Sequence, residues 1–164
     1  MFLGIYAHGV RNIYSKVYNP SGNIEPSEFV FPYEKKTFDF VFLISVFTHM
    51  LPLDMEHYFS EISRVLKVGG RCLISYFLLN PESVSMARKG TDGPDFKHKM
   101  SGYWTSNLKY PEYAVAYSED NVRNLYDRFG LLIKDPIIYG SWCGREEAIF
   151  YQDVIVGWKI EKSL

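Results

Sequence analysis

Residues 38–79 constrain this chain more than any other stretch, because they set two long apolar runs around one amphipathic stripe. The first run is Phe38-Asp39-Phe40-Val41-Phe42-Leu43-Ile44-Ser45-Val46-Phe47 and the second is Cys72-Leu73-Ile74-Ser75-Tyr76-Phe77-Leu78-Leu79. Neither alternates apolar with polar residues, a pattern that suits strands covered on both faces and therefore a parallel sheet. Parallel neighbours need a crossover. Between the runs, Met55, Tyr58, Phe59, Ile62, Val65 and Leu66 recur at helical spacing, which gives one apolar helix face. Asp54 and Glu56 suit the first turn of that helix, Lys67 its last turn, and Gly69-Gly70 a left-handed stop. A right-handed strand–helix–strand unit is expected.

The flanks are less regular. Residues 1–37 show no sustained period and are broken by Asn19-Pro20-Ser21-Gly22-Asn23, Pro26 and Pro32, so a loop-rich opening segment is expected there. Residues 80–117 carry the aromatic clusters Gly102-Tyr103-Trp104 and Tyr110-Pro111-Glu112-Tyr113. A connection of this length is commonly functional, and a lid is expected. Ser118 then suits a helix N-cap, followed by Glu119 and Asp120, an apolar stripe of Val122, Leu125, Tyr126 and Phe129, and a stop at Gly130. Residues 131–139, interrupted at Asp135-Pro136, and residues 148–160 supply two strand candidates, the last with the alternation of an antiparallel strand. Residues 118–164 therefore read as helix, strand, strand, and the whole chain of 164 residues as one α/β domain.

Composition removes several function classes. The formal charge is −1, from 18 basic and 19 acidic residues, with no concentration of Lys or Arg, so nucleic acid is not an expected partner. No run approaches a membrane span, and the two cysteines, Cys72 and Cys143, make no disulfide framework. A soluble, cytoplasmic protein is expected, and no metal-ligand spacing occurs. The aromatic share of 17% suits either ring-filled packing or an aromatic-lined pocket.

Two motifs resemble a known family. Thr37-Phe38-Asp39-Phe40-Val41-Phe42 followed by Ser45-Val46-Phe47-Thr48-His49 resembles the fourth-strand motif of class I S-adenosylmethionine-dependent methyltransferases. Tyr58-Phe59-Ser60-Glu61-Ile62-Ser63-Arg64-Val65-Leu66-Lys67-Val68-Gly69-Gly70-Arg71 resembles the following helix and its Leu-Lys-Pro-Gly-Gly turn, with Val68 in place of Pro. The resemblance covers 37–79, and the later elements agree with it in order. It implies a Rossmann-like sheet, mostly parallel with a final antiparallel strand, and S-adenosyl-L-methionine as cofactor. It also implies that Ser45, Val46, Phe47 and Thr48 line the cofactor and that His49 faces the acceptor as a general base. Val46 and Phe47 suit core packing equally well, and His49 suits a backbone-bonded structural role. Tyr103, Trp104, Trp142 and Arg145 are the candidate lid and wall for a small-molecule or saccharide-type acceptor.

A Rossmann-like site also needs a Gly-rich turn after its first strand and an acidic residue for the ribose about 20 residues later. The glycines before Phe38 are Gly4, Gly9 and Gly22, and the first carboxylate is that of Glu25. His8-Gly9 stands before Val10-Arg11-Asn12, where the family carries an acidic adenine contact. The expectation is therefore a truncated domain corresponding to the C-terminal half of the family, without its first strands, with activity of the isolated chain in question. Its 38–47 strand would be a long apolar edge, to be covered by a second copy or a partner chain. The alternative is a non-catalytic remnant that serves as an interaction module.

Overall fold

The computed structural model describes residues 1–6, 13 and 15–161, with the side chains of residues 2–6 excepted. The strand–helix–strand unit is β2 (Phe38–Ile44), α1 (Pro52–Val65) and β3 (Leu66–Tyr76), with β2 and β3 parallel. Pro52 occupies the first turn of α1, where its missing N–H costs nothing. Met55, Tyr58, Phe59, Ile62 and Val65 of α1 are buried against Phe38, Val41 and Leu43 of β2. Each such side chain contributes about 1.5–3 kcal/mol through removal from water. The Gly69-Gly70 pair does not cap the helix. The backbone leaves α1 at Leu66 directly into β3, and the glycines sit where the pairing register jumps from Phe38 opposite Leu66 to Phe40 opposite Arg71. Gly69 there takes a φ of 79°, which an L side chain tolerates poorly.

The opening segment is not all loop. Phe2–Tyr6 forms β1, parallel to β2, with Phe2 opposite Phe40 and Tyr6 opposite Ile44. This corrects both the absence of an earlier strand and the bare edge expected for 38–47. The stretch is too short to carry a periodic signal, and it becomes a strand through a non-local partner. After β3 the chain forms β4 (Leu78–Leu79), α2 (Pro81–Ala87), β5 (His98–Lys99), β6 (Trp104–Thr105), β7 (Val115–Ser118), α3 (Glu119–Arg128), β8 (Leu131–Ile133) and β9 (Asp153–Lys159). The main sheet has the order β1-β2-β3-β9-β8, and β9 runs antiparallel to both of its neighbours. The segment expected as a lid carries α2 and, between irregular stretches, the short strands that join β4 in a second sheet, β4-β7-β6-β5, with one parallel and two antiparallel pairings. The fold is thus mixed α/β rather than mostly parallel. Among the described residues no helix is long and apolar enough to cross a membrane.

Helices α1 and α3 cover the same face of the main sheet. Tyr126 of α3 lies against Gly157 and Cys72, so closely that a Cβ on Gly157 would stand 2.5 Å from the tyrosine ring. The opposite face carries Phe40, Phe42, Leu73, Val156 and Trp158, all partly buried, and exposed Leu132. Trp158 lies beneath two cations, with Arg71 4.9 Å and Lys134 5.6 Å from its ring centre.

Glu61 and Arg64, which suit a solvent-side pair by spacing, are instead a clasp. Glu61 is buried, and its two carboxylate oxygens accept from Arg64 Nε at 2.7 Å and Nη2 at 2.6 Å. The same carboxylate accepts the Phe31 N–H, while Arg64 donates to the carbonyls of Phe31 and Tyr33. This pair fastens the segment before β2 onto α1. The Arg64 guanidinium holds the Glu61 carboxyl below its ordinary range.

Two outcomes are expected from these contacts. Gly157→Ala will push Tyr126 off its seat and lower stability by about 1–3 kcal/mol in urea unfolding. Glu61→Gln will lower it by roughly 2 kcal/mol. The wild-type contribution of Glu61 will be full above its ordinary pKa of 4.5 and will fade as pH falls through the depressed folded value. The variant's acid limb will therefore be flatter than that of wild type.

Candidate functional site

β2 and β3 run parallel and β9 runs against them, so the carboxyl ends of the first two and the amino end of the third share one rim of the sheet. In open α/β sheets that rim is where ligands bind. At it, Ser45 follows β2 with a φ of 55°, a conformation that costs a non-glycine residue on the order of 1 kcal/mol or more. Hydrogen bonds hold it there. The Ser45 N–H donates to Ser75 Oγ at 2.8 Å, and both serine hydroxyls donate to Gln152 Oε1, Ser75 at 2.6 Å and Ser45 at 3.2 Å. Gln152 carries no motif and was invisible in the sequence. Only the antiparallel return of β9 brings it to this rim.

The turn Phe47–His49 continues from Ser45. Val46 and Phe47 are buried, and the Phe47 ring packs against Tyr58, Phe59 and Tyr76 at centroid distances of 6.4, 5.3 and 5.6 Å. Their side chains therefore belong to the core, which leaves their main chain to face the rim. Thr48 is fully buried, and its Oγ1 has no hydrogen-bond partner among the described residues, a costly state for a hydroxyl. His49 is half-buried, with Nδ1 2.9 Å from the Glu112 carbonyl and 3.0 Å from the Tyr18 hydroxyl. A carbonyl only accepts, so Nδ1 carries the proton and the basic lone pair lies on Nε2. Ser15 donates to the Glu112 side chain at 2.5 Å, which ties the same loop down.

The four candidate acceptor residues do not form one wall. Tyr103 is buried with the main core, whereas its neighbour Trp104 packs against a second cluster of Phe77, Ala116, Trp142 and Cys143. The small sheet separates them. Tyr117 and Val115 face the main core, where the Tyr117 hydroxyl donates to the Met50 carbonyl at 2.6 Å, and Ala116, opposite Trp104, faces the second cluster. Trp142 is buried, and its indole N–H donates to Asp153 at 2.7 Å. Asp153 is itself fully buried and also accepts the N–H groups of Leu78 and Gly140 at 2.7 and 2.8 Å. Burial pushes its carboxyl upward, opposed by these donors and by Arg145. Arg145 lies 3.6 Å from Asp153, donates to the Gly140 carbonyl and to Glu82, and stacks on Tyr139. Trp104 and Trp142 both line a cleft of about 950 Å³ between α2 and β5–β6. Burial pushes the Cys72 thiol up to about 12 and also raises that of Cys143, so neither is a thiolate nucleophile. Among the described residues no cluster fit to hold a metal occurs.

A methyltransferase-domain family model matches residues 17–74, a stretch that includes the whole Ser45–His49 turn. Among solved structures, an S-adenosylmethionine-dependent methyltransferase from Methanosarcina mazei superposes with a TM-score of 0.56 at 18% identity, over 90% of this chain and 74% of that one. The fold is a methyltransferase fold. The 1,6-didemethyltoxoflavin-N1-methyltransferase of Burkholderia thailandensis, solved with its substrate and S-adenosylhomocysteine, gives 0.51 at 16% identity, over 83% of this chain and 48% of that one. A putative methyltransferase of Haloferax volcanii, solved with the Trm112 methyltransferase activator, gives 0.50 at 14%, over 86% and 62%. The chain thus spans less than two-thirds of the length of two of these three. In this fold Ser45–His49 directly follows β2, the second of the five strands of the main sheet, while His8 to Asn12, read above against the adenine contact, lie outside the described residues.

Asp153→Ala will leave three buried donors unpaired and destabilise the chain by about 3 kcal/mol or more. Asp153→Asn, which keeps one acceptor oxygen, will cost less. Urea unfolding followed by tryptophan emission will rank the two and will report whether Trp142 is released.

Proposed function

We propose that this chain is an S-adenosylmethionine-dependent methyltransferase domain acting on a small-molecule or saccharide-type acceptor, with a cofactor site that is incomplete in the isolated chain. The observation that carries the reading is the Ser45 turn, a strained residue pinned at the carboxyl rim of a methyltransferase fold by Ser75 and Gln152. The donor set at β2 fits the cofactor's methionine and ribose side. Ser45 to Thr48 would hold it through main-chain groups and the orphaned Thr48 hydroxyl. When bound, the cofactor supplies a methyl group on a sulfonium that is already an activated leaving group. The protein's work is then to hold the acceptor in line near the methyl and to remove a proton where the acceptor is a hydroxyl or amine. His49 fills that role in this reading: its Nδ1–H is fixed by the Glu112 carbonyl, and Nε2 takes the acceptor's proton.

The other side of the site has weaker support. No Gly-x-Gly-x-Gly precedes Phe38, and no carboxylate precedes Glu25 to bind the ribose hydroxyls. That observation favours the second reading, a non-catalytic methyltransferase-like module. The two readings part on calorimetric titration with S-adenosylhomocysteine. The methyltransferase reading expects weak binding, with Kd on the order of 1 mM, reduced by Thr48→Val and unchanged by His49→Ala. Absence of both heat and thermal shift at millimolar ligand would establish the non-catalytic module instead.

A further inference from the structure

We propose that the cleft between α2 and the β5–β6 hairpin is a binding site for a carboxylated ring compound, separate from the Ser45–His49 rim. Its floor is aromatic and prearranged. Phe96 meets Trp142 edge to face at 5.5 Å, and Phe77 underlies both at 5.2 and 5.4 Å. Trp142 cannot swing, because its indole N–H is bound by the buried Asp153. Half-buried Trp104 completes the apolar wall. At about 950 Å³ the cleft is of the size that encloses small organic ligands. An aromatic floor fixed before binding favours a flat or ring-faced ligand, since no side-chain freedom is lost on contact.

The rim sets the charge. Arg88, Lys97 and Lys99 line the cleft, and among the described residues Asp95 is its one lining carboxylate. Asp95 is taken by Lys97 at 3.4 Å. Lys99 lies over the Trp104 ring at 5.5 Å, and neither Lys99 nor Arg88 meets a carboxylate among the described residues. Two exposed cations beside an apolar floor match a ring that bears an anion at its edge, with Arg88 able to grip a carboxylate through two parallel N–H donors. The small sheet sets this site apart from the rim. Trp104 and Ala116 face the cleft side, whereas Val115 and Tyr117 face the core that carries Met50. The assignment therefore does not depend on methyl transfer.

Two ligand sources share this chemistry, acidic sugars and aromatic acids, and paired probes distinguish them. The full chain is titrated with galacturonate against galactose and with benzoate against benzyl alcohol, followed by tryptophan fluorescence and calorimetry. At least one acid is expected to bind ten-fold or more tightly than its neutral counterpart, and the pair that shows this identifies the source. The Arg88→Gln/Lys99→Gln double variant, which alters only exposed side chains, is expected to weaken that acid at least ten-fold with an unchanged circular dichroism spectrum. His49→Ala is expected to leave the affinity unchanged, whatever S-adenosylhomocysteine does. The proposal is overturned if neither acid binds, if neutral and acidic members bind alike, if the double variant binds as wild type, or if His49→Ala abolishes binding.

Discussion

Packing of aromatic rings, mostly edge to face, ties the parts of this domain to one another. Phe31 from the segment before β2, Phe47 from the turn after it, and Phe59 and Tyr58 from α1 meet in sequence, and Phe59 continues to Tyr126 of α3. Tyr76 of β3 joins through Phe47 and through its hydroxyl to Tyr126. Strand β3, the turn, helices α1 and α3 and the segment before β2 thus share one set of contacts. Because rings are large and tolerate few orientations, the position of each element is fixed by its neighbours. The rim inherits that rigidity, since Phe47 is both a core ring and the second residue after Ser45.

Much of the fold was legible because its strongest signals are local. The stripe from Met55 to Val65 produced α1, and the Ser118 cap produced α3, whose side chain does accept the Asn121 N–H. What escaped depends on partners distant in sequence. Phe2–Tyr6 has no identity as a strand without β2, and the short strands of the second sheet exist only because β7 lies between β4 and β6. Glu61 and Arg64 show the same limit: spacing predicts that they meet, but not that a loop folds over them.

The site divides along the same line. The turn Ser45–His49 was recognisable as a motif, and it follows β2 at the rim of the main sheet. Gln152 and Asp153, adjacent in sequence, were not recognisable, yet one organises the rim and the other the opposite cluster. Their side chains diverge because β9 begins there and successive residues of a strand point to opposite faces. A single dipeptide therefore supports two separate parts of the molecule.

Tyr103 and Trp104 obey the same alternation at the start of β6, one closing the main core and the other forming the cleft wall. This restricts how the protein can diversify. Residues before Gly102 can be added or removed without reversing the pair, but a one-residue insertion within β6 would exchange the faces, sending an indole into the core and a phenol to the cleft. Variation in what the cleft accepts is then confined to substitution at fixed positions and to length changes in the segment that precedes the strand.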